Sequence, residues 1–125
     1  MKVLNTKLKT SWKVLFNDGA NWRVGVYKPQ FKNLKEIKIL EKHNVPELFM
    51  LLEGEVSLVI LKNKKNKIIK LKKNQPVVIN SYHNGFSPKS NGISLVVERG
   101  EFTTKYLDLK TKKIIKTVAV RKLEY

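Results

Sequence analysis

Two histidines, His43 and His83, supply all the imidazole in this chain, and it contains no cysteine. Thiol nucleophiles, thiolate metal sites and disulfide frameworks are thereby excluded. Metal-ligating chemistry is left to imidazole combined with carboxylate. His43 is followed by Asn44-Val45-Pro46 and then Glu47. On a continuous helix these two side chains would share a face, but Pro46 is a poor interior helix residue. On one straight strand they would stand about 13 Å apart, too far to share an ion. The spacing works if His43 ends one strand, residues 44–46 turn the chain, and Glu47 begins the neighbouring antiparallel strand. Cross-strand partners on one face then converge closely enough to hold a metal. His83, in Ser81-Tyr82-His83-Asn84, can complete the site from a later strand. Two neutral imidazoles and one carboxylate leave coordination positions open, which suits non-haem iron or catalytic zinc. Each residue also has a plain structural reading. A lone histidine is more often a surface or satisfied core residue than a ligand, and Glu47 can be a rim residue.

The elements that must position these groups read as short strands separated by turn signals, the pattern of an all-β sandwich or barrel. Residues 12–16 form a first strand ended by Asn17-Asp18-Gly19. In the second, Trp22, Val24 and Val26 alternate with Arg23, Gly25 and Tyr27, and Pro29 stops it. Residues 37–43 alternate again. Residues 47–53 are nearly continuous apolar sequence up to Gly54, which predicts burial on both faces. Strands are expected over 55–62, 68–71, 76–80, 93–99, 104–109 and 114–120, with hairpin turns at Asn63-Lys64-Lys65-Asn66 and around Thr111-Lys112. The stretch 31–36 has room for one helical turn. Phe49, Trp22, Tyr82 and Phe86 are candidates to line a pocket, although barrel aromatics are mostly core. Glu98, within Val96-Val97-Glu98-Arg99, either faces the cavity or pairs with lysine outside.

These residues carry a resemblance to the cupin superfamily. Its first motif runs histidine, any residue, histidine, three or four residues, glutamate, six residues, glycine. His43, Glu47 and Gly54 match it, and Glu41 stands where the first histidine belongs. In the second motif region Asn74 replaces a glycine, the apolar stretch is 76–79, Asn80-Ser81 replaces proline-glycine, and His83 fits. The run from Trp22 through Pro46-Glu47-Leu48-Phe49-Met50-Leu51-Leu52-Glu53-Gly54 to His83-Asn84 is also similar to small single-domain bacterial cupins. The resemblance extends from about Trp12 to Leu109. It implies a cupin-type double-stranded β-helix, a jelly-roll barrel, as one domain over residues 1–125. It further implies a divalent metal (iron, manganese, nickel or zinc) held by His43, Glu47 and His83. Glu41 is then either a fourth, harder ligand or a solvent-facing residue, and Glu41 or Glu98 is available for acid/base work.

The net charge of +16 would ordinarily suggest a nucleic-acid or anionic-membrane partner. Among the 26 basic residues, however, only Arg23, Arg99 and Arg121 are arginine, the residue favoured for base readout and bidentate phosphate contacts. Lysine, asparagine and isoleucine are enriched together, as AT-rich codon usage produces. Nucleic-acid binding is therefore expected to be weak and non-specific. No apolar run approaches the roughly 18 residues of a membrane helix, no signal peptide is evident, and the absence of cysteine fits a cytoplasmic location. The leading function is a metal-dependent pocket acting on or binding a small polar molecule such as a sugar or carboxylate. The alternatives are a non-catalytic ligand-binding cupin and a basic nucleic-acid-binding barrel. If Glu47 faces the cavity, Leu48, Met50 and Leu52 point away from it, and that apolar stripe predicts a homodimer.

Overall fold

A computed structural model describes residues 1–120. Arg121 lies outside the described residues. The strands are β1 (Trp12–Asp18), β2 (Trp22–Tyr27), β3 (Ile39–His43), β4 (Glu47–Glu53), β5 (Ser57–Lys62) and β6 (Lys65–Lys70). They continue with β7 (Val77–Ile79), β8 (His83–Phe86), β9 (Ile93–Glu98), β10 (Phe102–Asp108) and β11 (Ile114–Val120). A single 3-10 turn covers Leu34–Glu36, within the stretch expected to hold one helical turn. Two antiparallel sheets result, a five-stranded one ordered β1-β2-β9-β4-β7 and a six-stranded one ordered β11-β10-β3-β8-β5-β6. This is the all-β sandwich that the alternating sequence predicts, and it is consistent with the jelly roll that the resemblance implies. Among the described residues no helix is long and apolar enough to cross a membrane.

The period-two alternation of each strand decides what enters the space between the sheets. On β4, Glu47, Phe49 and Leu51 are buried, while Leu48, Met50 and Leu52 are only half-buried. One lumenal core joins Phe49, Leu51, Val96 and Ile79 of the first sheet to Leu58 and Ile60 of the second. A second cluster lies outside the six-stranded sheet, where Phe31, Leu34 and Ile37 pack over Leu40, Val59, Phe86 and Leu107. The strand buried on both faces is therefore β5, with Leu58 and Ile60 inward and Val59 outward. For β4 the expectation of two buried faces holds on the lumenal side alone. The N-terminal segment lies against the outer face of the five-stranded sheet. There Lys13 Nζ donates to the carbonyls of Asn5 and Lys7, and Lys2 sits over the Phe16 ring.

The β5–β6 turn is tighter than expected. Asn63 and Lys64 both adopt positive φ (52° and 64°), so two residues suffice and Lys65 already begins β6. At the end of β4, Gly54 has φ of 69°, and a Cβ there would run into the Asn91 carbonyl. Gly54→Ala is expected to lower stability by about 2 kcal/mol through left-handed strain and that clash. Denaturant unfolding measures it, and wild-type stability would mean that the turn relaxes freely.

Candidate metal centre

His43 and Glu47 do converge, but not as cross-strand partners in one sheet. β3 pairs with β10 and β8, whereas β4 pairs with β9 and β7. Asn44-Val45-Pro46 carries the chain from one sheet to the other, so the two side chains meet across the lumen. The crossing is anchored by Asn44, whose backbone N–H donates to the Thr103 carbonyl and whose Oδ1 accepts from the Thr103 N–H. Strand parity brings in the rest. Glu41 shares the lumenal face of β3 with His43 and lies opposite His83 on β8 and Tyr106 on β10. From the facing sheet come Glu98 on β9 and its cross-strand partner Arg23 on β2. All of them line one cavity of about 340 Å³, together with Trp12, Tyr27, Phe49, Phe102 and Thr104.

Glu47 Oε1 is the centre of the cluster. It lies 3.0 Å from His43 Nδ1 and 3.2 Å from His83 Nε2. Glu98 Oε1 is 3.3 Å from the same His43 Nδ1. The donor atoms of His43, Glu47 and Glu98 all fall within 4.8 Å of one another, and all three residues are buried. His83 stands outside that trio but touches it through Glu47. Its Nδ1 is 2.8 Å from the Ser81 carbonyl, which can only accept, so this contact places a proton on Nδ1 and leaves Nε2 as the ring atom that faces Glu47. His43 Nδ1 has two acidic neighbours within reach, yet no acceptor in hydrogen-bond geometry. A buried nitrogen lacking a directed hydrogen bond, a second imidazole nitrogen turned inward and two carboxylates, gathered at these distances, together fit a divalent ion. Imidazole with carboxylate is the donor set that iron, manganese, nickel and zinc accept.

The electrostatics separate the carboxylates. Burial pulls the Glu98 pKa upward, but His43 and Arg23 outweigh it and hold the group below the usual carboxylate range. Glu41 moves the other way. Burial raises its pKa, the Glu47 and Glu98 charges add to that, and the His83 and His43 rings offset only part. Burial alone would lower His43, yet the adjoining Glu47 and Glu98 carboxylates lift it to about 9. Tyr27 and Tyr106 are both raised, first by withdrawal from water and then by the charge of Glu41.

Of the four aromatic candidates for a pocket lining, Phe49 alone is in it, and the other three follow the rule that barrel aromatics mostly pack elsewhere. Parity explains the others. Trp22 precedes the inward Arg23 and lies exposed on the outer side. Tyr82 precedes the inward His83, Phe86 follows the inward Gly85, and both pack in the outer cluster. Arg23 is the residue that the sequence reading passed over, although alternation had already placed it on one face with Gly25 and Tyr27. It is buried, its Nε donates to Glu98 Oε2 at 2.6 Å, and its guanidinium lies 5.5 Å from the Trp12 ring and 5.0 Å from the Phe102 ring.

No family model matches the sequence, and no curated protein matches it. Solved structures do resemble it in fold. A cupin-2 domain protein from Shewanella frigidimarina aligns with a TM-score of 0.55 at 15% identity, over 74% of this chain and 83% of that one. An Fe(II) form of HppE with an alternative substrate, (S)-1-HPP, aligns with a TM-score of 0.57 at 12% identity, over 77% of this chain and 55% of that one. The DMSP lyase DddQ from Ruegeria pomeroyi aligns with a TM-score of 0.55 at 13% identity, over 70% of this chain and 45% of that one. The chain thus spans about half the length of the two enzymes.

Proposed function

We propose that this chain, whose fold is that of the cupins, holds a divalent metal in its cavity and there binds or converts a small polar molecule. His43 Nδ1, Glu47 and Glu98 would hold the ion, with His83 Nε2 as a further donor. The observation that carries the reading is the approach of two imidazole nitrogens to one buried carboxylate oxygen, with a second carboxylate alongside. Likeness in fold to an iron(II) protein supports it by analogy.

The metal, when bound, supplies Lewis acidity toward an oxygen of the ligand or toward water. The chain supplies the remainder. Glu98 is kept ionised by Arg23 and His43, which suits a donor and makes it a poor proton source. Glu41 is the better acid/base group, because its raised pKa favours holding a proton while 39% of its side chain stays accessible beside the cavity. Thr104 and Tyr106 offer hydrogen bonds to a polar ligand, and Trp12, Phe49 and Phe102 exclude water. A cavity of about 340 Å³ takes a molecule the size of a monosaccharide or a small carboxylate. Metal analysis of protein made without a polyhistidine tag tests the reading. About one equivalent of iron, manganese, nickel or zinc per chain is expected after loading and desalting, and protein that retains none of them would end it.

The outer face of the five-stranded sheet supports a homodimer. The N-terminal segment lies on the β1–β2 side, where Val26 is fully buried. Farther across, Leu48, Met50, Leu95 and Val97 stay half-buried and Val78 is 65% exposed. Each such side chain gains about 1.5–3 kcal/mol on full burial, and a two-fold contact closes the patch on itself. Light scattering at micromolar concentration should give twice 14.5 kDa; a monomer would mean that the N-terminal segment is cover enough. The proposed setting is the cytoplasm. Any attraction of the lysines to polyanions is expected to be weak, sequence-independent and lost with salt.

A further inference from the structure

We infer that Arg23 is a positioning residue of the metal centre, taking one oxygen of Glu98 and so presenting the other to the ion. The inference rests on the metal reading above. Arg23 and Glu98 face each other directly across the β2–β9 pair. Arg23 Nε holds Oε2 at 2.6 Å, while Oε1 of the same carboxylate lies 3.3 Å from His43 Nδ1. The two oxygens thus have separate duties. Both side chains are almost inaccessible (6% and 2%), so water cannot substitute for either contact.

The clamp is itself supported. The guanidinium lies against the Trp12 and Phe102 rings, and Phe102 in turn stacks on His43 with centroids 4.1 Å apart. Gly25, two residues on from Arg23 along β2, makes room for Trp12, since a Cβ there would strike the indole. One packed run, Trp12–Arg23–Phe102–His43, therefore connects the support of Glu98 to the ring that Glu98 faces. A planar, permanently charged guanidinium suits this place, because it can stack on rings and hold a carboxylate in one plane. Without it, Glu98 would be free to rotate its oxygens away from the site. Outer partners of ligating carboxylates typically change metal affinity about 10–100-fold. The plainer reading, an ion pair that only stabilises the barrel, predicts a different pattern of coupling.

Cobalt(II) titration of wild type, Arg23→Met, Glu98→Gln and the double variant separates the two readings. Methionine keeps an unbranched side chain between Trp12 and Phe102 while removing the donor. Arg23→Met is expected to weaken cobalt binding about 10–100-fold and to shift the cobalt absorption spectrum toward that of Glu98→Gln. In the Glu98→Gln background the same change should have almost no further effect, since the two residues act as one unit. If Arg23→Met does not fold, Arg23→Lys replaces it in the cycle. The ammonium keeps the charge but not the planar fork, so the same spectral shift is expected with a smaller loss. Additive losses, or an unshifted spectrum, would overturn the inference and leave the metal centre standing. Wild-type protein that takes up no cobalt would overturn both.

Discussion

His43→Ala is expected to weaken divalent-metal binding more than a hundredfold, and His83→Ala to do the same, with both proteins still folded. The size follows from position. Losing an outer partner of a ligand typically costs about 10–100-fold, so losing a donor that touches the ion should cost more. His43 contributes the nitrogen on which Glu47 and Glu98 converge. Alanine there removes the nitrogen between Glu47 and Glu98 and leaves Arg23 as the cation paired with Glu98. His83 is the more informative variant, because the tightest donor group is His43, Glu47 and Glu98 without it. Its case depends on the Ser81 carbonyl, which orients the ring through Nδ1 and turns Nε2 toward Glu47. Isothermal titration with one metal across wild type and both variants reads the effect, with circular dichroism as the check on folding. Undiminished affinity in His83→Ala would reduce the centre to the trio. Undiminished affinity in His43→Ala would dissolve it.

What could be read in the sequence, and what could not, divides along strand parity and sheet assignment. Parity is a local property. Along β4 it groups Glu47 with Phe49 and Leu51, though a continuous apolar run does not itself say which group looks inward, and the same rule put Arg23 with Gly25 and Tyr27. Sheet assignment is not local. Nothing in Asn44-Val45-Pro46 says whether the chain turns back beside β3 or crosses to the opposite sheet, and the two cases bring His43 and Glu47 together by different routes. Strand β8 was missed for a related reason. His83-Asn84-Gly85-Phe86 has a single large apolar residue, because its inward positions are a histidine and a glycine that adjoins Tyr27. Alternation also sorts the aromatic candidates for the pocket. Tyr82 and Phe86 each sit one residue from an inward neighbour and so must face outward. The outer cluster under Phe31, Leu34 and Ile37 was invisible beforehand, since a connecting segment carries no periodicity to show which sheet it covers.

Metal-free and metal-loaded protein are expected to respond to pH in opposite directions between about 6.5 and 9, and His43 is the cause. Its pKa in the fold is lifted to about 9 from the ordinary 6.5 by the Glu47 and Glu98 carboxylates, against the opposing effect of burial. A basic group raised on folding stabilises the fold fully below its unfolded pKa and loses that contribution as pH climbs through its folded one. The metal-free protein should therefore lose on the order of 3 kcal/mol of stability across that interval. On the acid side Glu98 acts in the reverse sense. Its lowered pKa gives stability that is present above the usual carboxylate range and is lost as pH falls further. Metal binding follows the opposite trend because the ion must displace the proton on His43. Apparent affinity should rise about tenfold per pH unit up to about 9 and then level off. His43→Asn supplies the control, since it removes the imidazole and leaves every other charged side chain in place. The difference between the wild-type and His43→Asn denaturation curves, taken in chelator from pH 5 to 10, should fall through the interval. A difference that stays flat, together with metal affinity indifferent to pH, would show that His43 carries no proton between its two carboxylates.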